Sequence, residues 1–563
     1  MHVGRFLGLL VVMGLLGGGP LQPAAFVVEA NAANEARLKT KHLGNRTAYI
    51  PPQCYTMATD EAGRIHNPCF SCHTRPRHPN FIDDSDLQLR YSFPKYARTN
   101  HWTNLFEDRR ERIAAISDAE IRDYVRGDNY LAADGTPILA KRLKDRPTAW
   151  DSDGDGRWSG YVPDALFQFD DEGFDRTPDG GYTGWRAFAY HPFLGAFWPT
   201  NGSTDDVLIR LPESFRNNMD GEFDSQVYKV NLAILEALFK EKDVPIEPID
   251  ERLLGGVDLD GSGDLGEASR IHYDWAPKKG RFMSFIGQAR KKQAEGDIHL
   301  AAGLFPEGTE FLHSVRYLDV EERGEIGLTP RMKELRYARK GVWFNYSDLY
   351  EDALAEIKEK NEWPDKLRRP IGDLEQGVNN GKGWVYQGFI EDAGGALRPQ
   401  TFEETVFCIG CHGGIGANQD GIFSFGRKLD ATTPAAGWYH WSQRGIKGLP
   451  ERIRSDGLPE LSYYLKQNGA GDEFRENAEV IHRFFDAGGE LKEDRVADLR
   501  DDISRLLWPS PERALLLNKA YRTIVLDQSF RKGRDTIIAP ARNVYRKVEE
   551  DKKTGIAAPV LGY

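Results

Sequence analysis

Two pentapeptides of the form C-x-x-C-H, Cys69-Phe70-Ser71-Cys72-His73 and Cys408-Ile409-Gly410-Cys411-His412, take four of the chain's five cysteines and stand 339 positions apart. In a helix, positions i, i+3 and i+4 share one face, so each pentapeptide sets two thiols and an imidazole on the same side of one turn. Asn67-Pro68 reads as an N-cap followed by proline at the first helical position. Thr401-x-x-Glu404 reads as a capping box for a helix running through Cys408 and Cys411, which Gly413-Gly414 stops. Only Cys54 is left over, which excludes a disulfide framework. Cys54 reads as a buried small hydrophobe, with an intermolecular disulfide or a sulfur ligand as alternatives.

The C-x-x-C-H spacing is that of c-type haem attachment, with two thioethers to one haem and the following histidine over the iron. A redox C-x-x-C pair or a zinc site of four thiolates leaves both histidines unexplained. Two covalent haems are therefore expected, on Cys69, Cys72 and His73 and on Cys408, Cys411 and His412. On these ten residues the sequence resembles the di-haem c-type cytochromes of the bacterial cell envelope.

The second axial ligands follow from an internal repeat. No methionine lies between His73 and Met219 or after Met332, which makes histidine the leading candidate. His101-Trp102 follows His73 by 28 positions, and His440-Trp441 follows His412 by 28. His101 and His440 are the expected distal ligands, either within each unit or crossed between units. The alternative is that both histidines cap helices or sit in the core. His66, His78 and His482 are weaker competitors, and His191, His272, His299 and His313 have no pattern around them.

Two haems with both iron faces blocked make a one-electron relay between redox partners the leading function. The alternative is a di-haem oxidoreductase, peroxidase- or oxygenase-like, with one open or labile iron, although the motif spacing is much wider than in di-haem peroxidases. A non-catalytic assembly component is the third reading.

Residues 1–32 read as a signal peptide, with a short apolar stretch at Phe6–Leu16 and Ala30-Asn31-Ala32 as the cleavage pattern. Eleven apolar residues are too few to span about 30 Å of hydrocarbon. No cysteine precedes Cys54, so no lipid-attachment cysteine follows the apolar stretch. A periplasmic or cell-surface location is expected, with no transmembrane segment after cleavage. The net charge of −12 excludes the basic footprint of a nucleic-acid binder and favours a basic redox partner.

Two loops carry alternate oxygens around tight glycine turns: Asp151, Asp153 and Asp155, and Asp258, Asp260, Ser262 and Asp264. Ca2+ suits such loops, although the twelfth-position glutamate of an EF-hand is missing from both.

The expected organisation is a first haem-binding unit (33–145), a central region holding the acidic loops (146–385), and a second haem-binding unit with a helical C-terminal part (386–563). The expected fold is mainly α, with some β and much irregular structure: two cytochrome-c-like units flanking an α+β centre. Expected elements are a short helix opened by Ser117-x-x-Glu120, helices at 226–242, 347–360, 473–486 and 511–526, and a strand at 310–320. The aromatic run Tyr182–Trp198 reads as core, with a path between haems as the alternative.

Overall fold

The computed structural model describes residues 40–60, 62–75, 89–145, 150–194, 199–471 and 476–555. The expected signal peptide and His78 lie outside the described residues.

The expectation of a mainly helical chain is wrong. The centre is a ten-stranded sheet whose paired strands are all antiparallel. A small hairpin, β1 (Ala58–Thr59) with β2 (Ile65–His66), precedes it. The chain then enters the sheet through β3 (Phe174–Arg176), β4 (Tyr182–Ala187), β5 (Thr204–Asp205) and β6 (Leu208–Arg210). A separate ribbon of β7 (Val244–Asp250) and β8 (Glu267–Ile271) follows. The long hairpin of β9 (Glu310–Val320) and β10 (Ile326–Lys340) returns to the sheet, which β11 (Ile371–Asp373), β12 (Gly377–Asn379), β13 (Trp384–Glu391) and β14 (Leu397–Pro399) complete. The order is β11-β12-β13-β10-β9-β6-β4-β3, with β14 on β13 and β5 on β9.

Strand alternation explains why the sheet is covered on both faces. Leu312, Leu335 and Phe389 pack with Trp185, Ala187 and Leu208 in one apolar cluster. Their neighbours Phe311, Ala338 and Tyr386 point the other way, into the largest cluster. Register keeps the faces consistent, because Ala338 pairs with both Phe311 and Tyr386.

That largest cluster includes the helix Ser225–Lys240, which starts where Asp224 accepts the Gln226 and Val227 N–H groups. Leu232, Leu235, Leu238 and Phe239 are fully buried there, each contributing about 1.5–3 kcal/mol of apolar transfer. The other expected elements appear as Asp118–Arg126, Tyr346–Glu362, Ala478–Phe484 and Pro511–Asp527, with the strand at Glu310–Val320. Within the aromatic run, Phe188 and Tyr190 join the main cluster and Trp185 the cluster beneath the sheet.

The motif segments do not flank the sheet as separate units. The second motif has the expected capping box, with Thr401 Oγ1 accepting from Glu404 N and the Glu404 carboxylate accepting from Thr401 N. The helices Phe402–Val406 and Cys408–Cys411 follow, joined through Phe407. The first motif is a 3-10 turn, Cys69–Ser71, rather than an α-helix. Asn67 does not cap it. Its side-chain amide instead donates to the carbonyls of Cys54 and Thr56, tying the motif to the preceding segment.

The two motifs adjoin. A Cβ on Gly410 would lie 2.1 Å from the Tyr49 carbonyl oxygen, so the second motif's helix rests on the backbone just upstream of the first. A Cβ on Gly416 would lie 2.1 Å from the Thr74 carbonyl, and Ala417 N donates to Cys72 O at 3.0 Å. The segment 543–553 closes over the first motif, with Val544 bridging Thr56 and Lys547 bridging Thr99.

Gly410→Ala should therefore lower stability by about 1–3 kcal/mol, the range for inserting a methyl into a filled interior. Gly266→Ala, where nothing lies within 4 Å of the added carbon, is the comparison and should change little. Equal thermal midpoints for the two variants would contradict the packing described.

Candidate functional site

Both motifs open onto one cavity of about 1120 Å3. That exceeds the roughly 1,000 Å3 upper end of ordinary small-molecule pockets. Cys69, Cys72, His73, Cys408, Cys411 and His412 all line it, and so does Cys54. No disulfide links any of the five cysteines.

The sheet supplies the opposite wall. Phe311, His313 and Val315 of β9 and Glu334, Arg336 and Ala338 of β10 all line the cavity. They are alternate residues of paired strands, with His313 directly opposite Arg336 and Phe311 opposite Ala338. His313, Arg336, Cys411 and His412 lie deep in the fold yet keep accessible surface, which is cavity wall.

The ring of His412 is fixed from behind. Its Nδ1 lies 2.7 Å from the Gly421 carbonyl oxygen. A carbonyl only accepts, so Nδ1 carries the proton and Nε2 keeps its lone pair. Phe423 stacks on this ring at 5.3 Å and Tyr386 lies at 4.8 Å. Burial holds the imidazole neutral, with its pKa lowered to about 4.

Burial also pushes the Cys411 thiol up to about 11 and raises that of Cys408. Redox C-x-x-C pairs work through a depressed thiol pKa, so the second motif lacks the electrostatics of a thiol–disulfide centre. In the first motif the Cys69 thiol donates to Asn67 Oδ1 at 2.8 Å.

His101 and His440 do not line the cavity. His101 stacks on Tyr96 at 4.4 Å, with Nε2 3.3 Å from the Tyr96 carbonyl oxygen. His440 caps the helix Trp441–Arg444, where its Nδ1 accepts from Ser442 N at 3.1 Å. Its Nε2 therefore carries the proton, which it donates to Asp206 Oδ2 at 2.7 Å. Both ring nitrogens are used. His440 thus caps a helix, whereas His101 is half-buried against Tyr96. The tryptophans pack across units: Trp102 meets Phe407, the residue before Cys408, edge-on at 5.6 Å. Trp441 shares an apolar cluster with Phe70 of the first motif.

The acidic loops lie outside the cavity. Carboxylate oxygens of Asp151, Asp153 and Asp155 come within 4.8 Å of one another. In the second loop the carboxylates of Asp258 and Asp260 are joined by that of Glu251. Ser262 Oγ donates to the Asp264 carbonyl. Glu251 is buried, accepting Leu259 N and Gly266 N, and no D-x-D pattern reaches that far upstream.

A buried charge cluster braces the wall. One oxygen of Glu334 accepts from Arg336 (2.9 Å), Arg534 (2.7 Å) and Gln400 (3.0 Å). Burial disfavours this carboxylate, yet the two guanidinium groups outweigh it and hold the pKa at about 2. Asp206 is also buried and is held at about 2 by His440 and Arg316. Glu334→Gln should cost about 3–5 kcal/mol, since it leaves two buried guanidinium groups without their counter-charge. A carboxylate depressed in the folded state stabilises above its ordinary pKa and loses that contribution as pH falls through its folded value. Acid denaturation should therefore show a wild-type loss between about pH 4.5 and 2 that Glu334→Gln reduces. Identical acid profiles would show that Glu334 does not contribute as described.

A family described as "-like lipoprotein" matches residues 38–502. An "Uncharacterized lipoprotein" of Aquifex aeolicus (strain VF5) is 30% identical, over 93% of this chain and 93% of the relative. No solved structure matches. Neither description names a cytochrome, and with the sheet-centred fold this overturns the resemblance to the di-haem c-type cytochromes. The one-electron relay and its peroxidase- or oxygenase-like alternative fall with it, and the redox partner expected from them loses its basis. Among the described residues no helix is long and apolar enough to cross a membrane. The chain belongs to this lipoprotein family, and it is accordingly an exported protein.

Proposed function

We propose that this is a cofactor-binding protein of the periplasm or cell surface. The cavity onto which both motifs open holds two covalently attached haems, one on Cys69 and Cys72 with His73, the other on Cys408 and Cys411 with His412. The observation that carries this reading is that two C-x-x-C-H motifs 339 positions apart open onto one cavity of about 1120 Å3. A ligand large enough to reach both motifs fits a cavity of that volume.

The donor set fits. Cys408 and Cys411 line the cavity with His412, so two thioether positions and an imidazole are offered to one macrocycle. His412 presents a neutral imidazole with its other nitrogen held by a carbonyl, the arrangement that orients histidine ligands of metals. Arg98, Arg336, Arg368 and Arg534 line the same space and suit the propionate carboxylates. When bound, haem supplies iron centres that the chain lacks. The chain's own part is to hold the macrocycles, orient the imidazoles and keep water from the inner wall.

Intact mass after export from cells that mature c-type haem tests this directly. The expected gain is two haems per chain, falling to one in Cys72→Ser and in Cys411→Ser. Absence of covalent haem from the correctly exported chain would falsify the proposal.

The two carboxylate clusters at Asp151 and Asp258 are proposed as Ca2+ sites that pin their loops. Ca2+ should raise the thermal midpoint and a chelator should reverse it. A midpoint insensitive to both would remove calcium from the account.

A further inference from the structure

Three histidines line the cavity: His73, His313 and His412. Two belong to the motifs. The third comes from the sheet wall facing them, and nothing in the sequence pattern around it marks it out.

We propose that His313 is the second imidazole ligand of the metal centre held at His412, the place that the His-Trp repeat assigns to His440. The inference rests on the cofactor reading above and names a ligand that reading does not contain.

Position comes first. His313 sits in the middle of β9, flanked on the same face by Phe311 and Val315, and it is paired across the strands with Arg336. A central strand between two hydrogen-bonded neighbours is the most rigid support the fold offers. His313 and His412 line the same cavity, and Arg336, which also lines it, stands directly opposite His313 on the neighbouring strand.

Availability comes second. No hydrogen bond to the His313 ring is found among the described residues, although the ring is deep in the fold. His440, by contrast, has both nitrogens engaged, by Asp206 and by Ser442. His313 is half-buried and its exposed part faces the cavity, so its ring is accessible to a ligand bound there.

Surroundings come third. The nearby carboxylates are already committed, Glu334 to Arg336 and Arg534 and Asp206 to His440 and Ser314. Neither is left to draw the His313 ring away from the cavity.

The experiment uses the full exported chain and reads two quantities separately. Haem content per chain is measured by the pyridine haemochrome assay, and spin state by optical and electron paramagnetic resonance spectra of the oxidised protein. In His313→Ala, haem content should stay at two per chain while about half of the iron becomes high-spin. Added imidazole should restore the low-spin signal. His313→Gln, close in shape and milder to packing, should behave the same way if the alanine variant folds poorly. His440→Ala should leave the spin state unchanged.

Two haems per chain with an unaltered low-spin spectrum in both His313 variants would overturn the assignment and leave the cofactor reading standing. The same loss of low-spin signal in His440→Ala, absent from the His313 variants, would return the ligand to His440. A wild-type chain without haem would end the cofactor reading and this inference together.

Discussion

The backbone contact between the two motif segments is the constraint on which the rest of the site depends. Gly410 meets the Tyr49 carbonyl and Gly416 meets the Thr74 carbonyl, each at a distance that no side chain could occupy. Interiors pack at crystal-like density, so such contacts require that one partner have no Cβ. Because the segments touch there, the thiols and imidazoles of both motifs share a cavity instead of belonging to separate lobes. The sheet then has only one place to stand: across from them, presenting alternate residues of β9 and β10 as the opposite wall.

That wall is polar where a core would be apolar, and its charges are satisfied in a particular order. Isolated buried charges are expensive, so each is paired. Glu334 is shared by Arg336 and Arg534, Glu404 by Arg398 in a bidentate pair, and Asp206 by His440 and Ser314. Glu404 also closes the capping box of the second motif. The arrangement that starts the Phe402–Val406 helix therefore also anchors Arg398 of β14 to it, and the orientation of Cys408 is coupled to the sheet.

The sequence carried the local structure of the second motif because its signals are local. A capping box, a helix face and two stopping glycines act within a few residues, and Thr401, Glu404 and Cys408 behave as such signals require. The strand at Glu310–Val320 and the helix beginning at Ser225 were legible for the same reason. The ten-stranded sheet was not, because most of its members are two or three residues long and carry no period of their own. Asn67 looked like an N-cap but binds carbonyls of residues 54 and 56, a choice set by where the chain folds back. Glu251 in the second acidic loop and His313 on the sheet were invisible for a further reason: each acts with residues that only the fold places beside it.

The His-Trp repeat is expressed in the fold as packing. Both dipeptides recur at the same offset, and both histidines are consumed by the protein itself, His101 against Tyr96 and His440 between Asp206 and Ser442. The tryptophans carry the geometric content. Trp102 follows the first motif in sequence but buttresses Phe407 beside the second, and its indole N–H donates to the Ile50 carbonyl next to the Gly410 contact. Trp441 follows the second motif but belongs to the cluster that holds Phe70 of the first. Each motif thus rests on apolar surface supplied by the segment that trails the other. Large aromatic side chains dominate the energetics of such contacts, so neither segment has its full support without its counterpart. The repeat therefore encodes reciprocal packing around a shared cavity, and the imidazole that faces that cavity from the far wall comes from the sheet.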